Sequence, residues 1–71
     1  MDADCLDDAI MPAVDFRVPG GLSPEELATV LRSALASGRA VGIEIAIYNP
    51  LLDQDGNAGR RLTDLLKEVL V

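Results

Sequence analysis

Residues 40–48 read Ala-Val-Gly-Ile-Glu-Ile-Ala-Ile-Tyr, and no other stretch limits the fold as strongly. Their β-branched enrichment predicts a strand. The run is apolar at most positions on both faces, with Glu44 the exception. Near-continuous runs of this kind belong to parallel strands covered by helices on both sides. Asn49-Pro50 ends the run. Such a strand needs a large surround, yet the chain has 71 residues. A chain of that size buries only about 60% of the surface its unfolded form exposes. A disulfide within the chain is excluded, because Cys5 is its single cysteine.

Two helices flank the run. Ser23 is a strong N-cap, Pro24 suits the first helical position, and Glu26 completes a capping box. Leu22 and Leu27 can form a hydrophobic staple across that start. Leu27, Val30, Leu31, Ala34 and Leu35 then lie on one face, and Gly38 follows the last turn. The pattern predicts a helix over 23–37. A second helix is predicted over 57–70, with Ala58, Leu62, Leu65, Leu66, Val69 and Leu70 as its apolar stripe. Residues 1–22 read as a strand stub followed by a long loop, marked by Pro12, Pro19 and Gly20-Gly21. The order of strand, helix, strand and helix places the chain in the α/β class, with right-handed crossovers and a parallel sheet. Two parallel strands do not make a self-sufficient sheet, since both edges stay open and the apolar faces outnumber the helices. The chain therefore reads as a βαβα portion of something larger. Its expected complement is a second copy or the missing N-terminal portion of the same fold.

Charge removes several functional classes. Twelve acidic against six basic side chains give a formal charge of −6, which opposes binding to nucleic acid. No segment has the length of apolar sequence that a membrane span needs. The start, Met1-Asp2-Ala3-Asp4, is acidic where a signal peptide is basic. A cytoplasmic location is the expectation, and a lone thiol fits a reducing compartment.

Asp2-Ala3-Asp4 is the first candidate site. Residues two apart on a strand point to one side, about 6.5 Å apart along the chain. The two ions of a binuclear hydrolase sit about 3.5–4 Å apart, so such a pair can reach into one cluster. Carboxylates suit hard ions such as Mg²⁺ or Mn²⁺. On spacing alone, a solvated acidic terminus is the ordinary reading. The wider pattern is more specific. Met1-Asp2-Ala3-Asp4-Cys5-Leu6-Asp7, Met11-Pro12-Ala13 and Pro19-Gly20-Gly21-Leu22-Ser23 follow one another with set gaps, and Gly42-Ile43-Glu44-Ile45 then precedes Asn49-Pro50. Over the whole chain this resembles the C-terminal portion of the ureohydrolases, the arginase–agmatinase–formiminoglutamase family of manganese hydrolases.

The resemblance implies a three-layer arginase-like fold. It implies that Asp2 bridges two manganese ions and that Asp4 binds one of them. In the family, the metal pair activates water for attack on a guanidinium or similar carbon. The chain departs from the family at three points. Asp8 stands where Pro or a small residue is usual. Ile47 stands where arginases and agmatinases carry a Glu that pairs with the substrate guanidinium, which counts against arginine or agmatine as substrate. The chain has no histidine, and the family's His ligands and two further Asp ligands lie upstream. The implied function is a C-terminal fragment of a manganese-dependent hydrolase of linear C–N bonds, inactive as an isolated chain. The alternative is a small, self-associating, non-catalytic protein derived from the same fold. Met1 fills the apolar position of the signature, so an internal methionine is compatible with it.

Other candidates rest on weaker patterns. Glu44, inside an apolar run, reads as a buried acid with a structural partner or as a group close behind the metal ligands. Asp53-Gln54-Asp55-Gly56-Asn57 has acidic spacing reminiscent of a calcium loop. It lacks the glycine and the final Glu of that motif, so Asp55 or Asn57 is expected to cap the following helix instead. Arg60 and Arg61 read as solvated surface, Cys5 as a small buried hydrophobe, and Tyr48 as facing the site mouth or packing.

Overall fold

Helix α1, Pro24–Ala36, starts where its capping signals lie. In this computed structural model, which describes residues 1–70, the Glu26 N–H donates to Ser23 Oγ at 3.1 Å. The Ser23 N–H donates back to Glu26 Oε1 at 3.0 Å. That second bond, reinforced by the Ser23 hydroxyl, holds the Glu26 carboxyl below its ordinary range. Leu27 and Ala28 are buried and Leu31 is half-buried. Val30 and Ala34, expected on the covered face, are exposed. The face of α1 is covered mainly over its first turns, because the rest of the helix runs past the short core.

Helix α2, Asn57–Leu70, packs against α1, and Arg32 pairs with Glu68 across the two at 3.1 Å. Both side chains of that pair are largely exposed, so it adds little to stability. Ala58, Leu62 and Leu65 are buried, with Leu66 and Val69 lying against them. The α2 start differs from the expectation. Asp53 accepts from the Ala58 N–H at 3.0 Å and from the Gly59 N–H at 2.9 Å. Asp55 accepts from the Asn57 N–H at 3.0 Å, and the Asn57 side chain only completes that local turn. The main cap thus comes from a residue farther back, because the 3₁₀ turn Pro50–Leu52 brings Asp53 over the helix end.

The centre of the protein is its least regular segment. Ala3, Leu6, Met11, Ala13 and Val14 are buried between the two helical stripes. A 3₁₀ turn, Ala3–Cys5, interrupts the segment between two isolated parallel bridges. At the first, the Ala3 N–H donates to the Ala46 carbonyl at 2.8 Å and the Ala46 N–H to the Met1 carbonyl at 3.0 Å. At the second, the Leu22 N–H donates to the Cys5 carbonyl at 2.8 Å and the Asp7 N–H to the Leu22 carbonyl at 2.9 Å. Gly21 makes the second bridge possible: a Cβ there would lie 2.7 Å from both the Asp7 nitrogen and the Leu6 carbonyl carbon. Gly20, at φ +86°, turns the chain into it, and its N–H donates to Asp7 Oδ1 at 2.9 Å.

The strand expected over 40–48 is not formed. Among the described residues, Ala46 is the one position of that run in a β-bridge, and residues 40–44 are exposed. The physical reason is a shortage of cover. Two helices present one stripe each, and both stripes close over the N-terminal segment. The described residues therefore form two helices around an irregular, extended core, with the 40–48 run lying unpaired but for Ala46.

The end of this run is fastened. The Tyr48 hydroxyl donates to Asp53 Oδ2 at 2.6 Å, which ties the segment to the α2 cap. Tyr48 pulls the Asp53 carboxyl below its ordinary range, helped by the Gly59 N–H, while the same bond pushes the Tyr48 phenol up. Just before it, Ile47 sits at φ +72°, a left-handed conformation that a β-branched residue rarely adopts. The Ala46 bridge on one side and the Tyr48 clasp on the other hold it there.

Two outcomes follow for stability. Replacing Ile47, which is 48% exposed, by glycine removes the left-handed penalty and loses little burial. Ile47→Gly is expected to stabilise by about 1 kcal/mol after the entropic cost of glycine, raising Tm by several degrees. An unchanged or lower Tm would show that the backbone is not strained there. The clasp predicts a pH window. Asp53, depressed, contributes stability above about pH 4 and loses it as pH falls further; Tyr48, raised, contributes below about pH 10 and loses it as pH rises. The Tm difference between wild type and Tyr48→Phe is expected to be level between these limits and to shrink beyond both. A difference independent of pH would contradict the clasp.

Candidate functional site

Asp2 and Asp4 are both exposed. Asp2 is extended, at φ −88° and ψ 128°, and leads into the 3₁₀ turn that contains Asp4. They do not share a strand face as expected. In a three-residue turn, positions two apart diverge by about 120°. Around the two carboxylates the backbone is well defined, through the Ala46 bridge and the bond from the Met1 ammonium to the Glu44 carbonyl at 2.9 Å. Among the described residues, no three His, Cys, Asp or Glu side chains gather closely enough to hold a metal ion. The residues present thus fit part of a hard-ion ligand set but not a complete one.

The other candidates disperse. Glu44 is exposed, which corrects its reading as a buried acid: the strand that would have enclosed it is not formed. Ile47 presents an aliphatic, half-exposed side chain beside the fastened end of the run. Tyr48 is engaged with Asp53. Cys5 is half-buried, and burial, followed by the neighbouring Asp4 charge, pushes its thiol up, away from reactivity. Arg60 bonds the Asn57 side chain at 3.0 Å, and Arg61 reaches the Ile10 carbonyl at 3.3 Å. Both oxygens of Asp53 already accept bonds from the α2 start, which removes the acid a calcium loop would need first.

An open cleft of about 510 Å³ lies at the α2 start, lined by Pro12, Leu51, Leu52, Asp53 and Arg61 among others. Asp2, Asp4, Glu44 and Ile47 do not line it. It is separate from the chemistry that the sequence suggests.

Two residues with clear structural roles were named in the sequence only as parts of a pattern. Asp7 accepts from the Gly20 N–H at 2.9 Å and the Ala9 N–H at 3.1 Å, and these bonds, Gly20 first, hold its carboxyl low. It sets the turn that lets Gly21 approach. Asn49 donates through its N–H to the Ala13 carbonyl at 2.7 Å and through Nδ2 to Asp15 Oδ1 at 2.8 Å, and accepts from the Leu51 N–H at 3.0 Å. Its place before Pro50 was the available signal, since Asn in that setting bonds its own backbone two residues on.

Comparison with known proteins gives this geometry a context. The arginase of Agrobacterium fabrum is 40% identical over 65 residues, covering 92% of this chain and 20% of that protein. The arginase of Brucella melitensis biotype 1 is 33% identical over 70 residues, covering 99% of this chain and 23% of its own length. Among solved structures, Bacillus subtilis arginase superposes with a TM-score of 0.82 at 28% identity, over 99% of this chain and 24% of that one. The agmatine ureohydrolase of Thermoplasma volcanium superposes with a TM-score of 0.79 at 32% identity, over 96% of this chain and 22% of that one. The chain thus spans about a fifth to a quarter of the relatives it matches. Its path through space is arginase-like even where the expected strand is not formed. The arginase family profile matches residues 1–71 without a break, and the chain belongs to the arginase family.

Proposed function

We propose that this chain is the C-terminal portion of a manganese-dependent hydrolase of linear C–N bonds, and that it does not hydrolyse substrate alone. The observation that supports the reading is the arginase family match over residues 1–71, a span that includes Asp2-Ala3-Asp4 and the Gly20-Gly21 turn. Asp2 and Asp4 supply two of the ligands to a manganese pair. The remaining ligands, His and Asp, come from chain outside the matched fifth to quarter. When bound, the pair supplies activated water. This chain's own part is to hold two acceptor-only carboxylates at a defined turn. Ile47 cannot pair with a cation, which counts against a guanidinium held at that position. A cytoplasmic site of action belongs to the same proposal. None of the described helices is long and apolar enough to cross a membrane.

The isolated chain, assayed with excess Mn²⁺, is expected to release no urea or ammonia from arginine, agmatine or formiminoglutamate. Turnover that survives repurification and disappears in Asp2→Ala would overturn that. Calorimetric titration with Mn²⁺ is expected to show weak binding that Asp4→Asn removes. Tight binding indifferent to that change would place the ion elsewhere and sink the assignment of the two carboxylates.

A further inference from the structure

We infer that Tyr48 is a positioning residue: its clasp on Asp53 sets the bridge at Ala46 that orients Asp2 and Asp4. This deepens the functional reading above and rests on it, since there those two carboxylates are metal ligands. The path between them is short. Ala46 is pinned twice, its carbonyl accepting from the Ala3 N–H at 2.8 Å and its N–H donating to the Met1 carbonyl at 3.0 Å, so the two bonds bracket Asp2. Asn49 is anchored farther along, through its N–H to the Ala13 carbonyl at 2.7 Å and through Nδ2 to Asp15 Oδ1 at 2.8 Å. Between these anchors, the N–H groups of Ile47 and Tyr48 donate to no backbone carbonyl among the described residues. The middle of the span is therefore held through the Tyr48 side chain, whose hydroxyl donates to Asp53 Oδ2 at 2.6 Å.

Strain gives the clasp its reach. Ile47, at φ +72°, is a β-branched residue in a region such residues disfavour, and it stays there only while its surroundings hold it. With the clasp cut, Ile47 relaxes by turning the peptides on either side of it. Asn49 is held by two long-range bonds and by the Leu51 N–H, which donates to its side chain at 3.0 Å. Asp2–Ala46 is an isolated bridge with no ladder beyond it, so the relaxation falls on the bridge. Asp53 itself is a fixed post, because its carboxylate also accepts from the Ala58 and Gly59 N–H groups at 3.0 and 2.9 Å. Gly59 leaves the room for this contact. A Cβ there would lie 2.8 Å from the Tyr48 hydroxyl and 3.2 Å from Asp53 Oδ2. The clasp can thus be broken from α2 with Tyr48 and Asp53 left in place.

The test compares amide exchange by NMR in the 71-residue chain and in its Tyr48→Phe and Gly59→Ala variants. Phenylalanine keeps the ring and removes the donor. Alanine is the better helix former, so an effect confined to the helix would protect α2 rather than loosen anything. Both variants are expected to speed exchange at the Ala3 and Ala46 amides about tenfold, as loss of a hydrogen bond to a charged group implies, while the helical amides of Leu31 and Leu66 change about threefold or less. Equal acceleration at the bridge and helix amides, or unchanged exchange at Ala3 and Ala46 in either variant, would overturn the inference. Titration with Mn²⁺ separates it from the functional reading. Paramagnetic broadening of the amide signals of residues 2–5 is expected in the wild type, with the half-effect concentration about threefold higher or more in both variants. Identical broadening in the wild type and both variants would contradict the positioning role. No broadening in the wild type would count against Asp2 and Asp4 as metal ligands, and the exchange comparison would then decide the coupling by itself.

Discussion

Two amphipathic helices offer two apolar stripes, and the structure depends on where those stripes are committed. Both close over the segment that carries Ala3, Leu6, Met11, Ala13 and Val14. This choice gives a buried centre without a sheet. It also leaves the most hydrophobic run of the chain, residues 40–48, at the periphery. At about 25 cal/mol per Å² of apolar surface removed from water, the closed row near Ile45 contributes to stability and the open row at Val41 does not. In a full sheet, the N-terminal segment and the 40–48 run would be neighbours with helices on both sides. Here they touch at one bridge.

That bridge and the clasp beside it decide the local geometry of the candidate site. Ala46 pairs with Asp2, Tyr48 is held by Asp53, and Ile47 between them is forced into a left-handed conformation. Asp53 serves both sides, since it also accepts from the first N–H groups of α2. Gly59 is the residue that permits this. A Cβ there would lie 2.8 Å from the Tyr48 hydroxyl. The end of the 40–48 run is thus fixed while its beginning is open.

Much of the architecture was legible in the residues, for identifiable reasons. Ser23, Pro24 and Glu26 are local signals, and a capping box needs nothing beyond its own turn. The period of Ala58, Leu62 and Leu65 likewise needed only a surface to lie on. The run at 40–48 was different, because a strand exists only with partners, and β preference is a statement about neighbours. Glu44 and the shared face of Asp2 and Asp4 depended on that strand, so their expected settings failed with it. Asp53 was hidden for another reason: its capping role depends on the 3₁₀ turn that carries it over α2, which no spacing rule announces. The family pattern was legible throughout, because it is written in the order and gaps of Asp, Pro, Gly and Asn rather than in contacts.

The central claim is that the chain commits most of its apolar cover to the N-terminal segment and leaves residues 41–44 exposed, with Ile45 lying against the core. Amide hydrogen exchange of the isolated chain, measured by NMR at high dilution, tests this most directly. The amides of Ala3, Asp7, Leu22, Ala46 and Asn49, all donors to backbone carbonyls, are predicted to be protected, and those of residues 41–45 to exchange near the rate of an unfolded peptide. Protection of 41–45 equal to that of Ala46 in the dilute chain would contradict it.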